Sequence, residues 1–313
     1  MADPERDKIA WVFPGQGSQR VGMGRELFAA DPEIAALYDS ADETLGFPLS
    51  EIIFEGPDEA LQATPVQQPA ILLTSIAYFR ALRNRGLLPD ADYVAGHSLG
   101  EYAAMVAAGS LDFAEALRLV RRRGELMHTH GAGAMAAILG MAAEDVAAIA
   151  RDAGAEVANF NAPDQTTVSG PTDAVERAIA LAKARGAKRA IPLPVSGAFH
   201  STLMAPVAAA MRPLIEGASI RAGGVPLVAD VDARLLRDPH ELRQELIDQI
   251  CGSVRWVDVV DVLGRAGVTS FYEIGPGKVL AGLIGRCAPE ATIITAERML
   301  AEAATPASSV GGN

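Results

Sequence analysis

Short apolar runs, each stopped by glycine or proline, alternate along this chain with longer stretches whose apolar residues recur at helical spacing. The run Lys8 to Phe13 (KIAWVF) halts at Pro14-Gly15, which predicts a buried strand entering a loop. Helical stretches follow. The clearest starts near Pro65 (QQPAILLTSIAYFRALRNRG) and closes at Gly86, a residue suited to a helix C-cap. ADYVAGHS predicts a second buried strand, LGEYAAMVAAG a helix directly behind it, and DFAEALRLVRRRGELM a helix capped by Asp112.

Between Gly133 and Ser196 the rhythm changes to strand, helix, two strands around a turn, helix, strand. That β-α-β-β-α-β order is the ferredoxin-like pattern. Strand-and-helix alternation resumes afterwards in VPLVADVD, a helix from Asp238, a helix around VRWVDVVDVLGRAG and the strand VTSFYEI. The expectation is therefore an α/β protein in which residues 1–131 and 197–313 form a large domain and 132–196 a small inserted one. One continuous α/β domain is the alternative. The polar tail after about Glu302 is expected to be disordered.

Composition narrows the class. Half of the 313 residues are apolar, enough for a sizeable core. The formal net charge of -12 opposes general binding to nucleic acid or to anionic membrane. Cys251 and Cys287 alone make neither a disulfide framework nor a zinc site. The start, MADPERDKIAWVF, has no secretory pattern, and no run reaches the roughly 18 apolar residues of a membrane span. A soluble cytoplasmic globule without metal, membrane or nucleic acid is expected, and a monomer.

GHSLG, Gly96 to Gly100, matches G-x-S-x-G between an apolar strand and a helix, the context of a nucleophile held on a sharp turn. The helix start behind Ser98 offers free backbone N–H groups, that of Leu99 among them, to developing negative charge. A serine needs a base. His97 adjoins Ser98 and should point to the opposite face. His128 and His130 sit in a loop with no carboxylate or cysteine nearby to complete a metal site. His240 looks like an exposed helix start. His200 emerges from an apolar strand into a glycine-broken loop (LPVSGAFHS), either as a structural residue or as the base. Arg123 lies on the apolar stripe formed by Ala116, Leu119, Val120 and Met127, where a guanidinium must be paired. Its partner is a structural carboxylate or a carboxylate on the substrate. PGQGSQ (Pro14 to Gln19) is a tight loop or a ligand loop at the end of the first strand. GPGKVL lacks the first glycine of a Walker loop, which would fall on Phe271 or Tyr272.

Taken together, VFPGQGSQ, GHSLGEYAA, RRRGELM, GAFHS and YEIGPGKVL resemble, in order and spacing, the malonyl-CoA:acyl carrier protein transacylases and the related acyltransferase domains of polyketide synthases. The resemblance runs from about residue 8 to about residue 295. It implies an α/β-hydrolase-like domain with a ferredoxin-like insertion, Ser98 as nucleophile and His200 as base. It implies also that the backbone carbonyl of Gln249 orients the histidine, that Gln16 and the Leu99 amide form the oxyanion hole, and that Arg123 binds the malonyl carboxylate. Phe199 stands where malonyl-selective members carry Phe. By the same resemblance the donor is malonyl-CoA and the acceptor the phosphopantetheine thiol of an acyl carrier protein, with no permanently bound cofactor. Lys183, Arg185, Lys188 and Arg189 are candidates for a basic docking surface or an ordinary solvated helix end. The rivals are a carrier-protein acyl hydrolase using the same pair, which would have no use for Arg123, and a non-catalytic docking subunit.

Overall fold

A six-stranded sheet organises the larger part of the molecule, in the computed structural model that describes residues 7–304. Its central strand is β1 (Lys8–Phe13), the apolar run that opens the chain. Helices α1 (Arg25–Ala30), α2 (Pro32–Leu45), α3 (Leu49–Glu55) and α4 (Asp58–Gln62) lead to the long α5 (Thr64–Asn84). Strand β2 (Tyr93–Gly96) then pairs parallel with β1, with Phe13 opposite Gly96. That register sets the loop after β1 beside the turn after β2. Behind the turn run α6 (Gly100–Ala107) and α7 (Phe113–Thr129), the latter capped by the Asp112 side chain as the sequence predicts.

The chain next forms β3 (Ala134–Leu139), α8 (Ala143–Ala153), β4 (Glu156–Ala162), β5 (Gln165–Gly170), α9 (Thr172–Ala184) and β6 (Arg189–Pro192). These strands form a separate antiparallel sheet in the order β4-β5-β3-β6. The chain returns through α10 (Ala205–Glu216), β7 (Leu227–Val228), β8 (Leu235–Leu236), α11 (Pro239–Asp248), α12 (Trp256–Arg265), β9 (Val268–Glu273), α13 (Val279–Cys287), β10 (Thr292–Thr295) and α14 (Ala296–Ala304). The large sheet reads β10-β9-β1-β2-β7-β8 and is parallel except for the β7–β8 pair.

Parallel strands covered on both faces need apolar residues on both, and the sheet obeys this. Trp11 and Phe13 face a core with α5, α6 and α7, whereas Ala10 and Val12 face one with α12 and α13. The small sheet packs one face on α8 and α9 through Ile138, Val146, Ile149 and Val168. A parallel bridge between Asn159 and Val254 joins the two sheets' surroundings.

Three local expectations change. VPLVADVD contributes only Leu227–Val228 to the sheet, because Asp230 and Asp232 turn the chain into a tight hairpin. His128 lies in the last turn of α7, not in a loop. Of the tail after Glu302, Ala303 and Ala304 are helical, and the remainder lies outside the described residues. Among the described residues no helix is long and apolar enough to cross a membrane, and no His, Cys, Asp and Glu side chains group as metal ligands would.

Candidate active site

The carboxyl ends of β1 and β2 meet at two glycines that admit nothing larger. A Cβ on Gly96 would collide with the backbone carbonyl of Gly100, and one on Gly100 with the Phe13 carbonyl. This crossing forces the turn between them so tightly that Ser98 adopts a left-handed backbone, φ 52°. The strain lifts its Oγ off the sheet, at the start of α6.

His200 arrives from the other side, on the loop after β6, also with a positive φ of 55°. Its Nε2 lies 2.8 Å from Ser98 Oγ. Its Nδ1 faces the carbonyl oxygens of Gln249 at 2.9 Å and Gly252 at 3.0 Å. Carbonyls only accept, so Nδ1 carries the proton and Nε2 presents its lone pair to the serine hydroxyl. Burial, then the nearby Arg123 charge and His97, pull the imidazole pKa down to about 3. The ring is therefore neutral at ordinary pH. Gln249 caps the C-terminal end of α11, where the helix dipole is negative and favours a transient imidazolium.

Arg123 is fully buried on α7. Among the described residues no carboxylate forms an ion pair with it. Its guanidinium donates instead to neutral oxygens: Ser98 Oγ at 3.0 Å, Gln249 Oε1 at 2.8 Å and Gln68 Oε1 at 3.1 Å. The Tyr102 ring lies 6.0 Å from the guanidinium, and Arg123 Nε finds no partner among the described residues. Arg121 and Arg122, by contrast, turn outward to Glu125.

Gln16 sits at the mouth, bonded to the amides of Gln67 and Gln68. A cleft of about 160 Å³ opens over Ser98 and His200, with Gln16, Phe199, Asn161 and Met135 among its walls. A second hollow of about 310 Å³ adjoins it across Gln16, Leu193 and Val195. His97 bonds Asn161 at 2.8 Å and lies against Trp256, so its ring turns to the insertion while still bordering the cleft. Leu99 is buried at the head of α6.

The sequence pattern of an acyl transferase domain family matches residues 10–244. This chain belongs to the acyl transferase domain family. It is 47% identical over 285 residues to the malonyl CoA-acyl carrier protein transacylase of Bacillus subtilis, covering 88% of this chain and 89% of that one. A solved acyl-carrier-protein S-malonyltransferase from Burkholderia pseudomallei superposes with TM-score 0.91 at 41% identity, over 95% of this chain and 99% of that one. A malonyl-transacylase solved in complex with a type II PKS acyl-carrier protein superposes with TM-score 0.89 at 38% identity, over 92% and 96%.

In this acyl transferase the predicted residues Ser98, His200, Gln16 and Phe199 line one cleft, and Arg123 and Gln249, both fully buried, bond to Ser98 and His200 from behind it. His128 borders only the second hollow, and His240 is exposed. Lys183, Arg185, Lys188 and Arg189 are all exposed, with Arg185 paired to Asp152. Sequence reasoning missed Gln68, Glu101 and Asp230, which are buried and bonded into the site. Polar residues inside the apolar run of α5 and at the first turn of α6 were the signal that could have found Gln68 and Glu101, and the acidic residue closing the apolar run of β7 the one for Asp230.

Proposed function

We propose that this acyl transferase moves a malonyl group from coenzyme A to the phosphopantetheine thiol of an acyl carrier protein, through an ester on Ser98. The single observation that carries this reading is Arg123, a buried cation hydrogen-bonded to Ser98 and holding, among the described residues, no direct carboxylate partner. A malonyl ester on Ser98 brings its own carboxylate to that guanidinium.

His200 Nε2 takes the Ser98 proton as Oγ attacks the thioester carbonyl. The oxyanion forms at the positive end of α6, where the Leu99 amide and Gln16 serve as donors. Collapse expels the coenzyme A thiolate, which leaves with the proton from the imidazolium. In the second half-reaction the carrier's thiol gives its proton to His200, attacks the ester and regenerates Ser98. The positive charge on His200 exists only transiently, and the carbonyls of Gln249 and Gly252 face it. In the loaded state the malonyl carboxylate offsets the Arg123 charge that depresses the imidazole pKa, so substrate itself strengthens the base. Phe199, buried on the cleft wall, crowds an α-substituent and favours malonyl. Neither half-reaction calls for a resident cofactor.

We also read the large sheet as an α/β-hydrolase-like domain formed by residues 1–131 and 197–313, and 132–196 as a ferredoxin-like insertion. Their strand orders support this, as does the nucleophile's place between a parallel strand and a helix. Brief mixing with malonyl-CoA, followed by intact-protein mass spectrometry, tests the function. The expected result is a malonyl adduct that is absent in Ser98→Ala and discharged by holo carrier protein. An adduct lost only to water would point to a hydrolase instead.

A further inference from the structure

Behind the reacting groups lies a closed ring of buried hydrogen bonds. Ser98 N donates to Asp230 Oδ2, and Asp230 N donates to Glu101 Oε1 at 2.9 Å. Gln249 Nε2 donates to Glu101 Oε2 at 2.6 Å and to the Ser98 carbonyl at 3.2 Å. Gln249 Oε1 in turn accepts from Arg123, which donates back to Ser98 Oγ. The Gln249 amide can face only one way here, because a guanidinium only donates and a carbonyl only accepts. Glu101 and Gln249 are both fully buried, and Glu101 touches no atom that reacts.

We propose that Glu101 is a positioning residue for substrate selection, compensating and orienting Arg123 through the Gln249 side chain so that the guanidinium keeps no direct carboxylate partner and stays open to the substrate's. This rests on the reading of Arg123 as the malonyl carboxylate site. A carboxylate bonded directly to Arg123 would compete with the substrate for it, whereas no carboxylate at all would leave a buried cation uncompensated. An intervening amide meets both demands: it passes on the field of the anion and occupies only one guanidinium N–H direction. Burial, and then the neighbours Glu245 and Asp230, push the Glu101 carboxyl well above its ordinary range, and its two N–H donors pull it back. Both oxygens face donors, so the ionised form is the one these hydrogen bonds accommodate.

The test compares rates of Ser98 acylation by malonyl-CoA and by acetyl-CoA, with rapid quenching and intact-mass detection, in the wild type, Glu101→Gln, Gln249→Ala, their double variant and Arg123→Ala. Glu101→Gln is expected to lower the malonyl-to-acetyl ratio about tenfold or more, chiefly through a higher KM for malonyl-CoA. Gln249→Ala should do the same while keeping the backbone carbonyl that holds His200, and it carries the test should Glu101→Gln not fold. The double variant should lose little beyond the larger single effect, since the two residues act in series. Equal losses for both substrates in Glu101→Gln and Gln249→Ala would overturn the proposal, as would additive effects in the double variant. An unchanged ratio in Arg123→Ala would instead overturn the carboxylate reading on which it stands.

Discussion

The surroundings of the large sheet and of the small four-stranded sheet bury different kinds of residue. Around the large sheet, Arg123, Glu101, Asp230 and Gln249 are buried together in one network about Ser98, and Glu245 is buried next to it, accepting from Val231 N. Around the small sheet the core is alanine, valine, isoleucine and Met141, and none of its buried residues is charged. Of its polar residues, Asn159, Asn161 and Thr167 line the cleft opposite Ser98, while Thr166 faces the helices beside Ile138. The large-sheet part carries the cost of buried charge; the small-sheet part supplies a wall of the cleft. A strained, polar site is tolerable because the apolar cores on both faces of the large sheet over-determine its backbone.

This contrast can be broken at four points. The largest effect is expected from Gly96→Ala, whose added methyl meets the backbone of Gly100 with no flexible side chain to yield. We expect a loss of roughly 3 kcal/mol or more, or failure to fold, read from urea unfolding. An unchanged midpoint would show that the elbow is not sterically fixed. Next is Arg123→Ala, expected to cut the malonyl loading rate by about a hundredfold or more while largely sparing acetyl. Stopped-mixing mass spectrometry would measure both, and parallel losses would remove the carboxylate role.

Third is the pH dependence of stability. The folded pKa of His200, about 3, lies below that of an unfolded histidine, near 6.5. The unfolded chain therefore binds more protons between those values, and wild-type stability is drawn down by this residue as pH falls through that window. His200→Gln removes that contribution. Its stability relative to wild type should improve by about 2 kcal/mol between pH 7 and pH 5, by urea unfolding at each pH. A constant difference would mean that the imidazole is not held neutral. The smallest effect is expected in the insertion. Ile149→Val, in a core with no link to the ring of hydrogen bonds, should cost about 1 kcal/mol of stability and leave kcat for malonyl transfer within twofold. A large fall in kcat would mean that the insertion does more than form a wall.

Much of this molecule is legible along the chain because its signals are local. Each strand of the insertion announces itself by composition and turn residues, and β1, β2, α5 and α7 lie where their apolar runs and caps put them. The elbow is legible for the same reason: glycine, serine and glycine at fixed spacing between a strand and a helix. Helices α10 and α13 are less so. Pro213 inside α10, and Gly282 and Gly285 inside α13, work against a helix locally, and tertiary packing settles both. The helical period fades in the last turn of α7, which is why the sequence reads His128 as a loop residue and the structure does not.

The sequence by itself determined the α/β alternation, the order of the two sheets, the tight turn at Ser98 and the presence of an arginine on an apolar stripe. These depend on residues within a few positions of one another, where sterics and the 3.6-residue period act directly. Only the tertiary structure decided what that arginine meets. Gln68, Ser98 and Gln249 come from three distant segments, and whether a buried cation finds a carboxylate, an amide or an open cleft depends on where those segments cross.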